Sequence, residues 1–184
     1  MKTATEKQLI RACRRGHARA QQELYQRYVQ AMYHVALRLV GERTRAEDVV
    51  QEAFIRVFRQ LDQFRGEATI GAWIKRITVN TALNELRRTK KMQFTNLEGM
   101  EQLAAPTQHS NPAAFSVREI HESIQELPEG SRVILSLYLL EGYQHKEISK
   151  ILDISVSTSK SQYHRAKKIL QEILAKNKQG THVR

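Results

Sequence analysis

Apolar positions along this chain recur every three or four residues from near its start almost to its end, broken at glycine or proline, and that period predicts a succession of α-helices. Leu9, Ile10 and Cys13 mark one side of a helix over residues 5–15, stopped by Gly16. Leu24, Tyr28, Met32, Val35 and Leu39 carry a longer helix through Val40 to Gly41. Thr44 and Glu47 stand at capping-box spacing, so the next helix is expected over 45–60, with Ala53, Phe54, Val57 and Leu61 inward. Its opposite face exposes Asp48, Gln51 and Glu52. After a polar loop around Arg65, Gly66 and Glu67, a fourth helix runs from Ala72 to Lys91 and buries Val79, Ala82, Leu83 and Leu86. Periodicity lapses over 92–110, where Gly99, Pro106 and a run of Gln, Asn, Ser and Thr give a linker composition.

The second half resumes at Asn111 and Pro112, which read as an N-cap followed by proline at the first helical position. Val117, Ile120, Ile124 and Leu127 form its stripe. Pro128 starts another helix with Val133, Ile134, Leu137 and Leu140 inward, closed by Gly142. Helical patterns over 144–152 and 157–174 are separated only by Asp153, Ile154, Ser155 and Val156. Two helices on so tight a turn, the second carrying Lys160, Arg165, Lys167 and Lys168, match a helix-turn-helix with its recognition helix second; a plain helical hairpin is the simpler alternative. The fold class expected is all-α: two small helical domains, residues 1–91 and 111–184, joined by a flexible linker over 92–110, the second domain containing the helix-turn-helix. Fully extended, a linker of this length spans at most roughly 65–70 Å. That is close to two turns of B-DNA, so the two domains can reach separate parts of one duplex.

The polar side of the fourth helix changes the picture from fold to chemistry. Arg76, Asn80, Asn84, Arg87 and Lys91 lie along one side, and Glu85 is the one acid between Ala72 and Lys91. A solvated face usually mixes acids with bases. Amides that can pair with a base edge, bracketed by guanidinium groups that can hold phosphates, suggest a helix that reads nucleic acid. Trp73 and Ile77 fall in line with this stripe; base stacking is one reading, and cover by a bend or a neighbouring helix is the one a lone tryptophan favours.

Composition agrees. Among 184 residues, 41% hydrophobic and 27% charged, the formal net charge is +11, which favours a polyanionic partner. The lone Cys13 cannot form an internal disulfide and fits a small buried thiol. The seven histidines show no ligand spacing, so neither a metal nor any other cofactor is expected. No signal peptide, membrane span, Gly-rich phosphate loop, nucleophile elbow or paired-carboxylate pocket is present, so the chain reads as a cytoplasmic non-enzyme with no small-molecule substrate and no direct membrane insertion.

The stretches ELYQRYVQAMYHVALRLVG, AEDVVQEAFIRVFRQLDQFRGEATIGAWI and NTALNELRR in the first half, and LPEGSRVILSLYLLEGYQHKEISKILDISVSTSKSQYHRAKKIL in the second, resemble the extracytoplasmic-function (ECF) class of bacterial RNA polymerase sigma factors. The resemblance covers nearly the whole chain. It implies a transcription initiation factor that binds core RNA polymerase and directs it to promoter DNA. Asp48, Gln51 and Glu52 would contact the clamp helices of the polymerase largest subunit. The loop Phe64, Arg65, Gly66, Glu67 and the helix bearing Arg76, Asn80, Asn84, Arg87 and Arg88 would read and help open the downstream promoter element. Ser157, Thr158, Lys160, Ser161, Gln162, His164, Arg165 and Lys168 would meet the major groove of the upstream one. Acids beside a DNA-binding surface repel phosphate, so a protein partner for the Asp48 face is the natural physical assignment.

Four positions depart from the family's habit: Asn84 for a frequent Asp, Gln162 for a frequent Arg, Ser159 for an apolar residue and Asp153 for the turn glycine. The chain stops soon after its second domain, so control is expected from outside, by an anti-sigma factor. The competing function is a stand-alone helix-turn-helix regulator, which leaves the first half unexplained.

Overall fold

Gly41 shows how closely the helices follow one another. Its left-handed backbone (φ 77°) lets its N–H close on Leu37 O at 2.8 Å, and only Glu42 separates it from the next helix. This computed structural model describes residues 5–89 and 115–181. In order they form α1 (Glu6–Arg14), α2 (Ala18–Val40), α3 (Arg43–Gln60), a 3₁₀ turn (Leu61–Gln63) and α4 (Ile70–Arg88), then α5 (Val117–Gln125), α6 (Glu129–Leu135), a π-helical turn (Ser136–Leu140), α7 (His145–Leu152) and α8 (Val156–Thr181). Every regular element among the described residues is helical.

The chain divides into two compact units, Met1–Lys91 and Met92–Arg184. In the first, α2, α3 and α4 pack on one another, and α1 lies against α2 and the 3₁₀ turn. Leu24, Leu39, Ala53, Val57, Ile74 and Leu86 are completely buried at its centre. Cys13 joins this core, and its burial raises the thiol pKa. Gly71, in the first turn of α4, lies against α2: a Cβ there would lie 2.9 Å from Cε1 of the Tyr28 ring, which would have to shift. In the second unit α8 is the spine, contacted by α5, α6 and α7. Its core gathers Ile124, Leu127, Leu135, Ala166 and Leu170.

One helix start differs from expectation. The Thr44/Glu47 capping box does not form, because α3 already begins at Arg43 with Glu42 extended before it (φ −133°, ψ 137°), which puts Thr44 inside the first turn. Ala46, in the first turn of the helix, is fully buried. In the second unit the Asn111/Pro112 start lies outside the described residues, and α5 begins at Val117. There Ser116 Oγ accepts from Glu119 N at 3.2 Å while Glu119 Oε2 accepts from Ser116 N at 2.7 Å, a reciprocal cap.

Candidate nucleic-acid interface

The polar stripe on α4 exists because the opposite side of that helix is committed to the core. Ile74, Val79, Ala82, Leu83 and Leu86 are at most 1% exposed, and so Arg76, Asn80, Asn84, Arg87 and Arg88 all point to solvent. Lys91, also expected on the stripe, lies outside the described residues. Thr69 starts the helix by accepting from Ala72 N at 3.2 Å. Arg87 Nη1 donates to Asn84 Oδ1 at 3.0 Å, which turns the Asn84 amide nitrogen, a donor, away from that guanidinium. An aspartate at this position would offer only acceptors. Glu85 does not interrupt the positive surface, because Arg88 pairs with it at 2.8 Å and Arg45 lies 4.0 Å from its other oxygen.

The loop before α4 carries Arg65, Gly66 and Glu67 exposed and Phe64 half-buried, with Gly66 in the left-handed region (φ 78°). Trp73 is half-buried. The Phe64 ring from the preceding loop packs on it, 5.5 Å away between centroids, and α4 continues as helix through Thr78.

On α3, Asp48, Gln51 and Glu52 are exposed, and Glu52 pairs with Arg56 at 2.8 Å, one turn on. Sequence reasoning missed Ile55, which is 45% exposed and shares this face at helical spacing. The available signal was its position off the Ala53/Phe54/Val57 stripe. An exposed aliphatic among acids suits a protein surface and not a polyphosphate.

In the second unit α7 and α8 meet through a turn over residues 153–155. Asp153 takes the left-handed conformation (φ 55°) that glycine adopts most readily, and Ile154 N closes on Ser149 O at 3.0 Å. Ser155 Oγ caps α8 by accepting from Thr158 N at 2.9 Å. Ser157, Lys160, Ser161, His164, Arg165 and Lys168 are exposed at three- and four-residue spacing and share one outward face. Thr158 is half-buried, with its hydroxyl 2.8 Å from Ser155 Oγ.

Gln162 stands apart from this group. It is 6% exposed, on the buried line Ser159, Gln162, Ala166, Leu170, so the structure does not present it with its neighbours to a groove. Ser159 is fully buried, its Oγ 2.9 Å from His145 Nδ1. His145 in turn stacks on Tyr138 (centroids 4.3 Å, 14° between planes), which lies against Tyr163 at 4.6 Å. Burial first, then the charges of Lys160 and His164, hold the His145 pKa below the ordinary imidazole value.

Two modules, one with an amide-and-guanidinium helix and one with a helix-turn-helix, suit a DNA-binding protein, and similarity to known proteins says of which kind. Residues 24–92 match Sigma-70 region 2, and residues 117–170 match Sigma-70 region 4. The chain is 32% identical to the RNA polymerase sigma-H factor of Pseudomonas aeruginosa, over 92% of this chain and 93% of that protein. It is 33% identical to the ECF RNA polymerase sigma-E factor of Escherichia coli, over 90% of this chain and 92% of that protein. Two solved structures share the fold: RpoE in complex with the anti-sigma factor NepR from Bartonella quintana (TM-score 0.54, 19% identity, 84% of this chain and 96% of that one), and CnrH in complex with the cytosolic domain of CnrY (TM-score 0.52, 23% identity, 94% and 98%). The chain belongs to the ECF class of RNA polymerase sigma factors, and it is a promoter-directing initiation factor. No helix among the described residues is long and apolar enough to cross a membrane.

Proposed function

We propose that the three surfaces divide the work of initiation among them. The α3 face of Asp48, Gln51, Glu52 and Ile55 docks on the clamp helices of the polymerase largest subunit. The loop at Phe64, Arg65, Gly66 and Glu67, together with the α4 stripe, reads the downstream promoter element and holds bases once the strands part. The outward face of α8 enters the major groove of the upstream element, with Lys160, Arg165 and Lys168 supplying charge. The observation that carries this reading is the presence, within the first unit, of an acidic-aliphatic face on α3 and a cationic amide stripe on α4, two chemistries suited to protein and to nucleic acid respectively.

RpoE is seen with an anti-sigma factor, and a partner of that type is proposed for this chain as well, acting with it in the cytoplasm where core polymerase works. The test is reconstitution. Core polymerase stripped of sigma begins promoter-specific transcription on genomic fragments when this protein is added, and reversing charge at Asp48 and Glu52 abolishes that gain while the helical signal stays. Protection of an operator by the protein alone, with no initiation on any fragment, would favour a regulator that works without polymerase.

A further inference from the structure

Helix α1 precedes the residues matched by Sigma-70 region 2, and its last residue reaches the loop that leads into α4. Arg14 Nε donates to Leu61 O at 3.2 Å, and its Nη2 donates to Phe64 O. The two carbonyls come from either end of one tight turn, which Phe64 N closes on Leu61 O at 3.2 Å. A planar guanidinium fits such a pair because its donors are held in a fixed fork. Asp62 lies 3.9 Å from Nε but is 85% exposed, so that ion pair adds little and the carbonyls are the substance of the contact. Past Phe64 the chain is tied again by the Phe64 ring against Trp73 and by the Thr69 cap of α4. Between these ties Arg65, Gly66 and Glu67 stand in solvent.

We infer that Arg14 is a positioning residue for promoter opening: by clasping the Leu61 and Phe64 carbonyls it sets where the Phe64–Glu67 loop starts, and so where that loop meets DNA. This deepens the reading of that loop as a downstream-element contact and rests on it. Docked on α2 and the 3₁₀ turn through Leu9, Ile10 and Cys13, α1 gives the arginine a fixed base. The energetic logic is pre-organisation. A loop ordered before the duplex opens loses less freedom when it takes hold of a base.

The full-length protein tests this with two readouts, because Trp73 is its sole tryptophan and packs on Phe64. In Arg14→Gln the Trp73 emission shifts to the red and is quenched more readily in the absence of DNA. The same variant in holoenzyme forms open complexes about tenfold less well, as expected for losing hydrogen bonds from a charged donor, while upstream-element binding is unchanged. Arg14→Lys, which keeps the charge but gathers its donors on one nitrogen and so lacks the fork, falls between the two in both measurements, and it serves as the test variant if Arg14→Gln loses helical signal. Unchanged Trp73 emission in both variants overturns the clasp itself. A clear emission shift with normal opening overturns instead the assignment of this loop to the downstream element.

Discussion

The two helices proposed to read DNA, α4 and α8, look alike from solvent and differ behind. Each presents a stripe of cations and hydrogen-bonding side chains at helical spacing. Behind the α4 stripe the packing is chiefly aliphatic, with Ile74, Val79, Leu83 and Leu86 sealed against α2 and α3, and the two buried hydroxyls, Thr78 and Thr81, donate to Ile74 O and Ile77 O of their own helix. Behind the first half of α8 the contacts are polar: Ser159 meets His145, Gln162 is buried beside it, and aliphatic packing takes over only at Ala166 and Leu170. Aliphatic burial is non-directional and insensitive to pH. A buried polar seam is directional, costly to leave half-made and open to titration. One reading helix is therefore held by area and the other, near its DNA-facing end, by particular atoms.

The largest effect that sharpens this contrast falls on α4. Leu83→Ala removes a buried side chain and lowers unfolding free energy by about 2–5 kcal/mol in a denaturation titration. A cost under about 1 kcal/mol would show that α4 is not held by its apolar face. Next come the exposed amides, where Asn80→Ala with Asn84→Ala leaves stability intact but removes contacts worth roughly 1–3 kcal/mol each, about five- to a hundredfold per contact in the opening equilibrium. Permanganate reactivity of unpaired thymines falls accordingly, while upstream-element binding holds; a loss confined to the upstream element would reverse the roles of the two helices.

Smaller still is Ser159→Ala, which deprives the His145 ring nitrogen of its partner and costs about 1 kcal/mol, read as the melting temperature of the full chain. The smallest effect is on pH. Since burial and the Lys160 and His164 charges depress the His145 pKa in the folded protein, the unfolded chain takes up a proton near its ordinary value of 6.5 that the folded chain resists. Stability from this site is complete above that value and is lost as pH falls through the lower folded one. The melting temperature of the second unit should drop between about pH 7 and pH 5, and less so in His145→Gln; identical slopes in the two proteins would remove His145 from the account.

Much of this was legible without coordinates. The period of apolar residues located the helices, the glycines at 16, 41 and 142 marked stops that the backbone confirms with positive φ, and on α4 the inner side and the outward Arg76, Asn80, Asn84 and Arg87 were assigned correctly. Capping was less secure. Thr44 and Glu47 have the spacing of a cap, but spacing cannot say that the chain reverses two residues earlier, as it does at Gly41 and Glu42.

What the sequence determined by itself is what depends on near neighbours: helix extents, the committed apolar faces, the net positive charge and the two motif-bearing halves. Only the tertiary structure decided which polar side chains are used internally. Ser159 and Gln162 are hydrophilic and so fall outside any hydrophobic pattern, yet both are buried, and the partner of Ser159 lies on α7 and not on its own helix. Arg14 reads locally as one more surface cation, and its role appears only because packing brings a carbonyl 47 residues away within hydrogen-bonding distance. Periodicity records whether a side chain prefers water, but a polar group can be satisfied by water or by protein, and which of the two it meets is settled by elements distant in the chain.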